Sequence, residues 1–200
     1  DGIRDSVASR GLGDVYKRQD TTPVSTFTQV LYRHGALMGS VAMVLVMVQG
    51  GMALDASLAG VWQQPGTFLL ATLVILAGFV GYLKWRDYAF VGTQWLWIGY
   101  LLYVSVVEEI AFRLYLPVVL ESHSGWVAGV LLSNLIFGAI HYYTLRWKFS
   151  HCVVAALGGI GLSRLLAQSG DLGVIILVHF VATFLNTPRP PDASARVNNL

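Results

Sequence analysis

Charged residues are scarce in this sequence. Lysine, arginine, aspartate and glutamate make up 12% of its 200 residues, whereas soluble domains carry about 25%. Hydrophobic residues make up 55%, and the mean hydropathy is +0.61. Residues 56–83 and 88–107 contain no charge at all, and each stretch can cross a hydrocarbon core of about 30 Å. This composition excludes a soluble globular domain and predicts an integral membrane protein.

Cysteine and net charge are low as well. The single cysteine, Cys152, excludes an internal disulfide and a CxxC metal site. The formal net charge is only +2, and the basic residues are spread along the chain rather than clustered. We therefore expect no nucleic-acid partner, and the lipid bilayer as the surroundings of the protein.

Hydropathy and turn residues predict an all-α, polytopic membrane helix bundle with about six transmembrane helices. Turn-forming or charged segments separate the spans. The predicted spans are Gly35 to Leu54, Gly66 to Leu83, Gln94 to about Leu120, Trp126 to Tyr143, Phe149 to Ala167 and Leu172 to Thr187.

The organisation of the chain follows from these spans. We expect an N-terminal two-helix membrane region over 21–93 and a four-helix core over 94–187. Residues 1–20 are polar and lack an initiator methionine, so we interpret them as a non-native or disordered leader and expect part of the native N-terminus to be missing. Residues 188–200 contain three prolines and are predicted to be a disordered tail.

Lysine and arginine fall on alternate connections between the predicted spans. The basic connections are 84–87 and 144–148, together with the tail and the segment around Arg33. The other connections, around Asp55, Glu121 and Asp171, contain no lysine or arginine. The positive-inside rule therefore predicts that both termini are cytoplasmic.

Three polar clusters interrupt the predicted spans, and the first is Glu108-Glu109-x-x-x-Arg113. An ionisable side chain at the bilayer centre costs at least about 2.5–3.5 kcal/mol, so such residues pair, line a wet cavity or do chemistry. Glu109 and Arg113 have the spacing of a helical ion pair with the acid first, while Glu108 points about 100° away. We interpret Glu109 as the structural partner of Arg113 and Glu108 as the free carboxylate. In the alternative, all three only cross-link helices.

The second and third clusters supply histidines. His141 shares a helical face with Phe137 and Asn134, near the end of the fourth predicted span. His179 lies near the middle of the last span and begins a polar stripe that continues through Thr183 and Asn186.

Depth along the helices favours convergence of these clusters. At about 1.5 Å per residue, Glu108 and His179 lie near the midpoints of their spans. His141 lies roughly 10 Å to the cytoplasmic side of its own midpoint, a gap that helix tilt can close. We expect Glu108, His141 and His179 to form one site, and His34, His123 and His151 to lie outside it.

In this order, and each on its own predicted helix, the Glu108-Glu109-x-x-x-Arg113, Phe137-x-x-x-His141 and His179 motifs resemble the CAAX protease and bacteriocin-processing family of intramembrane glutamic endopeptidases. That family includes enzymes that cleave after the prenylated cysteine of CAAX proteins, and many bacterial members. The resemblance covers roughly 94–186. It implies a membrane-associated peptide or protein as substrate and a bacterial inner membrane as location, with no cofactor or bound metal expected.

The resemblance also implies roles for individual residues. Glu108 and His141 would activate the attacking water, and His179 would stabilise the oxyanion. In the family an Asn four residues after this His usually helps, but here Thr183 occupies that position. Leu114 likewise replaces the small residue often found after the Arg.

Other intramembrane chemistries have little support in the sequence, which has no HExxH, GxGD or GxSG signature. Three alternatives stay open. The first is a metal-dependent hydrolase with Glu108, His141 and His179 as ligands. The second is a membrane immunity or scaffold protein of the same fold without turnover, and the third is a proton-coupled transporter.

Overall fold

The computed structural model describes residues 24–88, 90 and 92–191, and within them every regular element is a helix. The expected leader and residues 192–200 of the expected tail lie outside these residues. The helices are α1 (Phe27–Gln49), α2 (Met52–Ser57), α3 (Ala59–Gln63), α4 (Pro65–Trp85), α5 (Gln94–His123), α6 (Trp126–Leu145), α7 (Phe149–Ser169) and α8 (Leu172–Asn186).

The predicted all-α membrane bundle is confirmed. Five helices of the described chain, α1, α4, α5, α6 and α7, are long and apolar enough to cross a membrane. The sixth predicted span corresponds to α8, which is apolar but has only 15 residues. At about 1.5 Å per residue it is roughly 22 Å long, shorter than a typical hydrocarbon core.

The first helix begins eight residues earlier than the sequence predicted, at Phe27 instead of Gly35. The hydroxyl of Thr26 accepts the backbone N–H of Gln29 at 3.2 Å, and the Gln29 side chain accepts the N–H of Ser25 at 3.0 Å. This Thr-x-x-Gln arrangement stabilises a helix start because it satisfies amides that have no partner within the helix. The same helix ends at Gln49, because Gly50 adopts a φ of 82° that favours glycine.

Helix α5 lies at the centre of the bundle. In its hydropathic span 61% of the residues are buried inside the protein, against 11% for α4. It contains a π-helical turn at Ile110–Tyr115, directly before Pro117. In the π-helical pattern an N–H bonds the carbonyl five residues earlier, and Pro117 has no N–H to give to the carbonyl of Phe112. The Ser133 hydroxyl of α6 donates to this carbonyl instead, at 2.7 Å.

The helix ends meet in two groups. At one end the Gln94 side chain donates to the carbonyl of Pro188 at 2.8 Å, and Arg33 donates to the carbonyl of Tyr143 at 3.3 Å. At the other end the Tyr115 hydroxyl donates to the carbonyl of Gly50 at 2.7 Å. The helices therefore alternate in direction, as the predicted topology requires. That the first of these ends faces the cytoplasm stays a prediction from the positive-inside rule.

The outer helix α4 and the inner helix α8 divide the apolar residues between lipid and core. The α4 residues Leu69, Leu70, Leu73 and Val74 are more than half exposed and form a surface suited to lipid tails. Phe180 and Phe184 of α8 are fully buried, and Phe184 stacks on Phe79 of α4 with ring centroids 3.6 Å apart. This packing fixes α8 against α4 and helps to set the position of His179.

Candidate active site

Two adjacent carboxylates lie at the middle of α5, immediately before its π-helical turn. Glu108 exposes 1% of its surface and Glu109 none. Consecutive residues on a helix point about 100° apart, so the two carboxylates face different neighbours. Glu108 faces a cavity, and Glu109 faces the packed contact between α5 and α8.

Three histidine rings surround the Glu108 carboxylate. The Nε2 atom of His34 lies 2.8 Å from Oε1, and that of His141 lies 3.7 Å from the same oxygen. The Nε2 atom of His179 lies 3.6 Å from Oε2. The predicted convergence of Glu108, His141 and His179 is therefore present, with a third histidine added to it.

The opposite nitrogen of each ring is held by a neighbouring group. Nδ1 of His141 donates to the backbone carbonyl of Phe137 at 2.8 Å, and Nδ1 of His179 donates to Glu109 Oε1 at 2.6 Å. Nδ1 of His34 lies 2.8 Å from the hydroxyl of Thr144. Because Nδ1 is committed in every case, the Nε2 atoms are the ones that act on Glu108 and the cavity.

Glu109 joins two partners, of which the sequence predicted one. The expected ion pair with Arg113 is present, with Nε 3.3 Å from Oε2. The contact with His179 was not expected, because it links helices that are 70 residues apart in sequence. The guanidinium of Arg113 also lies 4.1 Å from the ring centroid of Phe137, whose edge contacts His141 at a centroid distance of 4.6 Å.

The charge of this cluster is nearly balanced. The two glutamates and Arg113 sum to one negative charge before any histidine is protonated. A single proton on the imidazoles therefore makes the cluster neutral. Neutrality is favoured here because an unbalanced charge in a low-dielectric interior carries a large desolvation cost.

The expectation that His34 lies outside the site was wrong. The predicted first span began at Gly35 and placed His34 at a helix end, whereas α1 begins at Phe27 and carries His34 two turns into the bundle. A π-helical turn at Leu31–Gly35 presents the ring to α5. The sequence signal that finds it is Thr26-x-x-Gln29, which marks the helix start ahead of the hydrophobic run.

A cavity of about 690 Å³ opens beside Glu108. The predicted residues among those that line it are Glu108, Arg113, Phe137, His141, His179, Thr183 and Asn186. His151 lines it too, which corrects the expectation that this histidine lies apart. His123 lies outside the cavity, next to the Ser122 hydroxyl, as expected.

Asn134 lies behind the site rather than in it. Its amide donates to the backbone carbonyl of Val130 at 2.9 Å and to the Ser163 hydroxyl of α7 at 3.1 Å. It is two turns from His141, or about 10 Å along the helix, so it does not reach Glu108. Its side-chain oxygen and the Arg113 guanidinium both lie against Gly159 of α7. A Cβ at position 159 would lie 2.9 Å from Nη2 of the arginine, so a larger residue there would collide with it.

One end of the cavity lies at the end of the bundle that carries the basic residues. Tyr88 lines it, and the Arg189 guanidinium lies 4.4 Å from the centroid of its ring. Arg86 donates to the Tyr88 hydroxyl at 3.5 Å, and this hydrogen bond lowers the pKa of the phenol. This end of the cavity therefore combines aromatic surface with positive charge.

Three of the side chains have the spacing of a metal site. His34, Glu108 and His141 each offer a ligand atom, and these atoms lie within 4.8 Å of one another. Nitrogen and carboxylate oxygen are ligands that suit zinc. This set differs from the one considered from the sequence, because His34 takes the place of His179.

Comparison with known proteins covers the part of the chain that holds most of this site. Residues 90–185 match the sequence model of a family described as type II CAAX prenyl endopeptidase Rce1-like. The comparisons with curated proteins and with solved structures give no match. The matched segment contains Glu108, His141 and His179 but not His34. The resemblance to the CAAX protease family that the motifs predicted is thus confirmed over residues 90–185, which are similar to the Rce1-like type II CAAX prenyl endopeptidases.

Proposed function

We propose that this protein is an intramembrane endopeptidase that hydrolyses a peptide bond of a membrane-associated peptide or protein. In this proposal Glu108 and His141 activate the attacking water, and His179 with Thr183 stabilises the oxyanion. The family of residues 90–185 supports a CAAX-type intramembrane protease in general. The geometry of Glu108 and His141 supports the individual roles.

The observation that carries the proposal is the gap between Glu108 Oε1 and His141 Nε2. The two atoms are 3.7 Å apart, which is too far for a direct hydrogen bond. The gap has room for one water about 2.8 Å from each atom, which would donate a hydrogen bond to both. His141 can accept one there because its proton is on Nδ1, bonded to the carbonyl of Phe137. Because Glu108 and His141 both line the cavity, such a water would lie at its wall, within reach of a bound substrate.

The reaction follows from this placement. The water oxygen forms a bond to the carbonyl carbon of the substrate, one water proton moves to Glu108, and the carbonyl oxygen becomes an oxyanion. Glu108 then gives its proton to the amide nitrogen, and the carbon–nitrogen bond breaks. The products are a carboxylic acid and an amine, and Glu108 returns to its carboxylate form.

His179 and Thr183 support stabilisation of the oxyanion. Thr183 lines the cavity one helical turn after His179, and its hydroxyl can donate one hydrogen bond. A proton on Nε2 of His179 makes the ring an imidazolium, since Nδ1 stays bonded to Glu109. The oxyanion that forms beside it is the counter-charge of this imidazolium, because Glu109 is already paired with Arg113, and donors aimed at the oxyanion in a dry site are worth more than in water.

The walls of the cavity fit an apolar or lipid-associated substrate. Apart from the polar centre, its lining includes Val104 of α5 and Val154, Ala155 and Leu162 of α7. Such a lining buries an extended peptide together with apolar side chains or a lipid group. The proposed reaction takes place at the membrane and uses no cofactor.

A second candidate function rests on the spacing of His34, Glu108 and His141, which suits a metal-dependent hydrolase. A cation held there would supply a polarised water, in place of the water activated by Glu108 and His141 alone. The two candidates differ in one measurement. Cleavage that survives prolonged treatment with a membrane-permeable chelator supports the metal-free mechanism, and cleavage restored only by added zinc supports the other.

The full chain, purified in detergent, provides the test. It is incubated with a library of membrane peptides in which half of the cysteines are prenylated, and the products are read by mass spectrometry. We expect defined cuts that disappear in Glu108→Ala and His141→Ala but persist in His123→Ala, since His123 lies away from the cavity. Absence of any Glu108-dependent cut would favour a scaffold or immunity role instead.

A further inference from the structure

The proposed hydrolysis gives no task to His34, the histidine closest to Glu108. Its ring is buried, with Nε2 2.8 Å from Glu108 Oε1. It lies on α1, outside the matched segment 90–185. A buried imidazole is tolerated only where its nitrogens find hydrogen-bond partners, and both nitrogens of His34 have one, so a specific role is expected.

The hydrogen bonds around His34 locate its protons. The Thr144 hydroxyl donates its one hydrogen to the carbonyl of Ile140 at 2.7 Å. It can therefore only accept from His34, whose Nδ1 must carry a proton to make the 2.8 Å contact. A neutral ring would then present a lone pair at Nε2, facing a carboxylate oxygen that is also an acceptor.

The 2.8 Å contact with Glu108 thus requires a second proton between the two groups. Because hydrolysis needs Glu108 as a carboxylate, that proton belongs on His34 Nε2, where the imidazolium donates to Oε1. The resulting pair is neutral. Charge-assisted hydrogen bonds of this kind are short and fix the planes of both groups.

Close packing holds α1 at the distance that this contact needs. The carbonyl of Gly35 accepts the hydroxyl of Tyr103 at 3.0 Å. A Cβ at position 35 would lie 2.9 Å from a ring carbon of Tyr100, so glycine lets α1 approach α5. The ring of His34 in turn lies 5.0 Å from that of His141, centroid to centroid.

We propose that His34 is a positioning residue of the active site, which holds the Glu108 carboxylate by donating from Nε2 to Oε1. This inference rests on the proposed function. By fixing the rotation of the carboxylate, His34 places Oε1 opposite His141 and leaves Oε2 toward His179. The first helix therefore completes a catalytic group whose other members, Glu108, His141, His179 and Thr183, come from the matched segment.

Two substitutions at position 34 test the proposal in the full chain, with kcat and KM measured on a peptide that the wild-type protein cleaves. His34→Leu removes the donor, and we expect kcat to fall about 10²-fold, the effect of a small misplacement of a catalytic group, with KM little changed. His34→Gln keeps an N–H donor at a similar reach, so it should recover most of the lost kcat. Thr144→Val, which frees Nδ1, should show a smaller loss of kcat. His123→Leu is the matched control and should behave as wild type.

Each other outcome overturns the proposal. Equal losses in His34→Leu and His34→Gln, together with a lowered Tm, would assign His34 a structural role only. Full activity in both would show that Glu108 needs no such support. Stoichiometric zinc in the wild-type protein, lost in His34→Leu, would make His34 a metal ligand. If wild-type cleavage does not depend on Glu108, the proposed function fails by itself, and the His34 variants are then judged by metal content and by Tm.

Discussion

The cavity side and the packed side of α5 contain the same chemical group in two settings. Glu108 and Glu109 are adjacent and equally buried. Glu108 opens on a cavity and faces three Nε2 atoms, whereas Glu109 is closed in by Arg113 and His179. Burial alone therefore does not distinguish a reactive carboxylate from a structural one. Access to the cavity and the partners of the carboxylate do.

The largest expected difference lies in turnover. Glu108→Gln should abolish cleavage, because an amide cannot take the proton of the water, and it should leave the Tm almost unchanged because the shape is kept. The measurement is single-turnover cleavage with a thermal melt on the same preparation. If Glu108→Gln stays active while Glu109→Gln is stable but inactive, the two roles are reversed.

The next effect is on stability. Glu109→Gln leaves the buried guanidinium of Arg113 without a counter-charge, which should lower the free energy of unfolding by about 3–5 kcal/mol. The double variant Glu109→Gln with Arg113→Met removes both charges and should recover part of this loss. Unfolding in detergent compares wild type, both single variants and the double variant. Additive losses in the double variant would show that the pair is not coupled.

A smaller effect on rate is expected at Thr183. If its hydroxyl donates to the oxyanion, Thr183→Ala should reduce kcat by roughly 10²-fold and leave the Tm near that of the wild type. Thr72→Ala on α4 is a matched control, because the Thr72 hydroxyl bonds only its own helix, at the carbonyl of Phe68. Equal rates in the two variants would remove Thr183 from the site.

The smallest effect concerns the bend of α5. Ser133→Ala removes the donor to the carbonyl of Phe112 and should cost about 1–3 kcal/mol of stability, the penalty for a buried acceptor left without a partner. Ser122→Ala is the control, since the Ser122 hydroxyl is exposed and bonds within its own helix. A Tm for Ser133→Ala equal to that of Ser122→Ala would show that the carbonyl finds another donor.

Local patterns in the sequence predicted much of this arrangement. The spacing of Glu109 and Arg113 predicted their ion pair, because partners four residues apart are set by helix geometry alone. The polar positions within apolar spans identified Glu108, His141 and His179, since lipid leaves few reasons for such residues. Five of the six predicted spans followed from hydropathy in the same way, and the sixth corresponds to the shorter apolar helix α8.

The remaining features depend on contacts between helices that no local pattern encodes. The bond from His179 to Glu109 and that from His34 to Glu108 join residues 70 and 74 positions apart. Asn134 shares a helical face with His141, but a shared face does not show which residues of other helices lie at the same depth. Asn134 contacts Ser163 instead of Glu108. His34 was missed for a local reason. The hydrophobic run begins after His34, whereas the helix begins before it, at Phe27.

Gly159 allows α7 to cover the buried charge of Arg113. Because no side chain intervenes, the α7 backbone lies directly on Asn134 and on the guanidinium of Arg113. Within the described chain the terminal nitrogens of Arg113 are buried and have no hydrogen-bond partner. A lipid chain in the place of α7 would leave that positive charge facing hydrocarbon. The absence of a side chain at position 159 therefore lets α7 keep lipid away from the guanidinium of Arg113. That guanidinium pairs with Glu109, and Glu109 in turn holds the ring of His179.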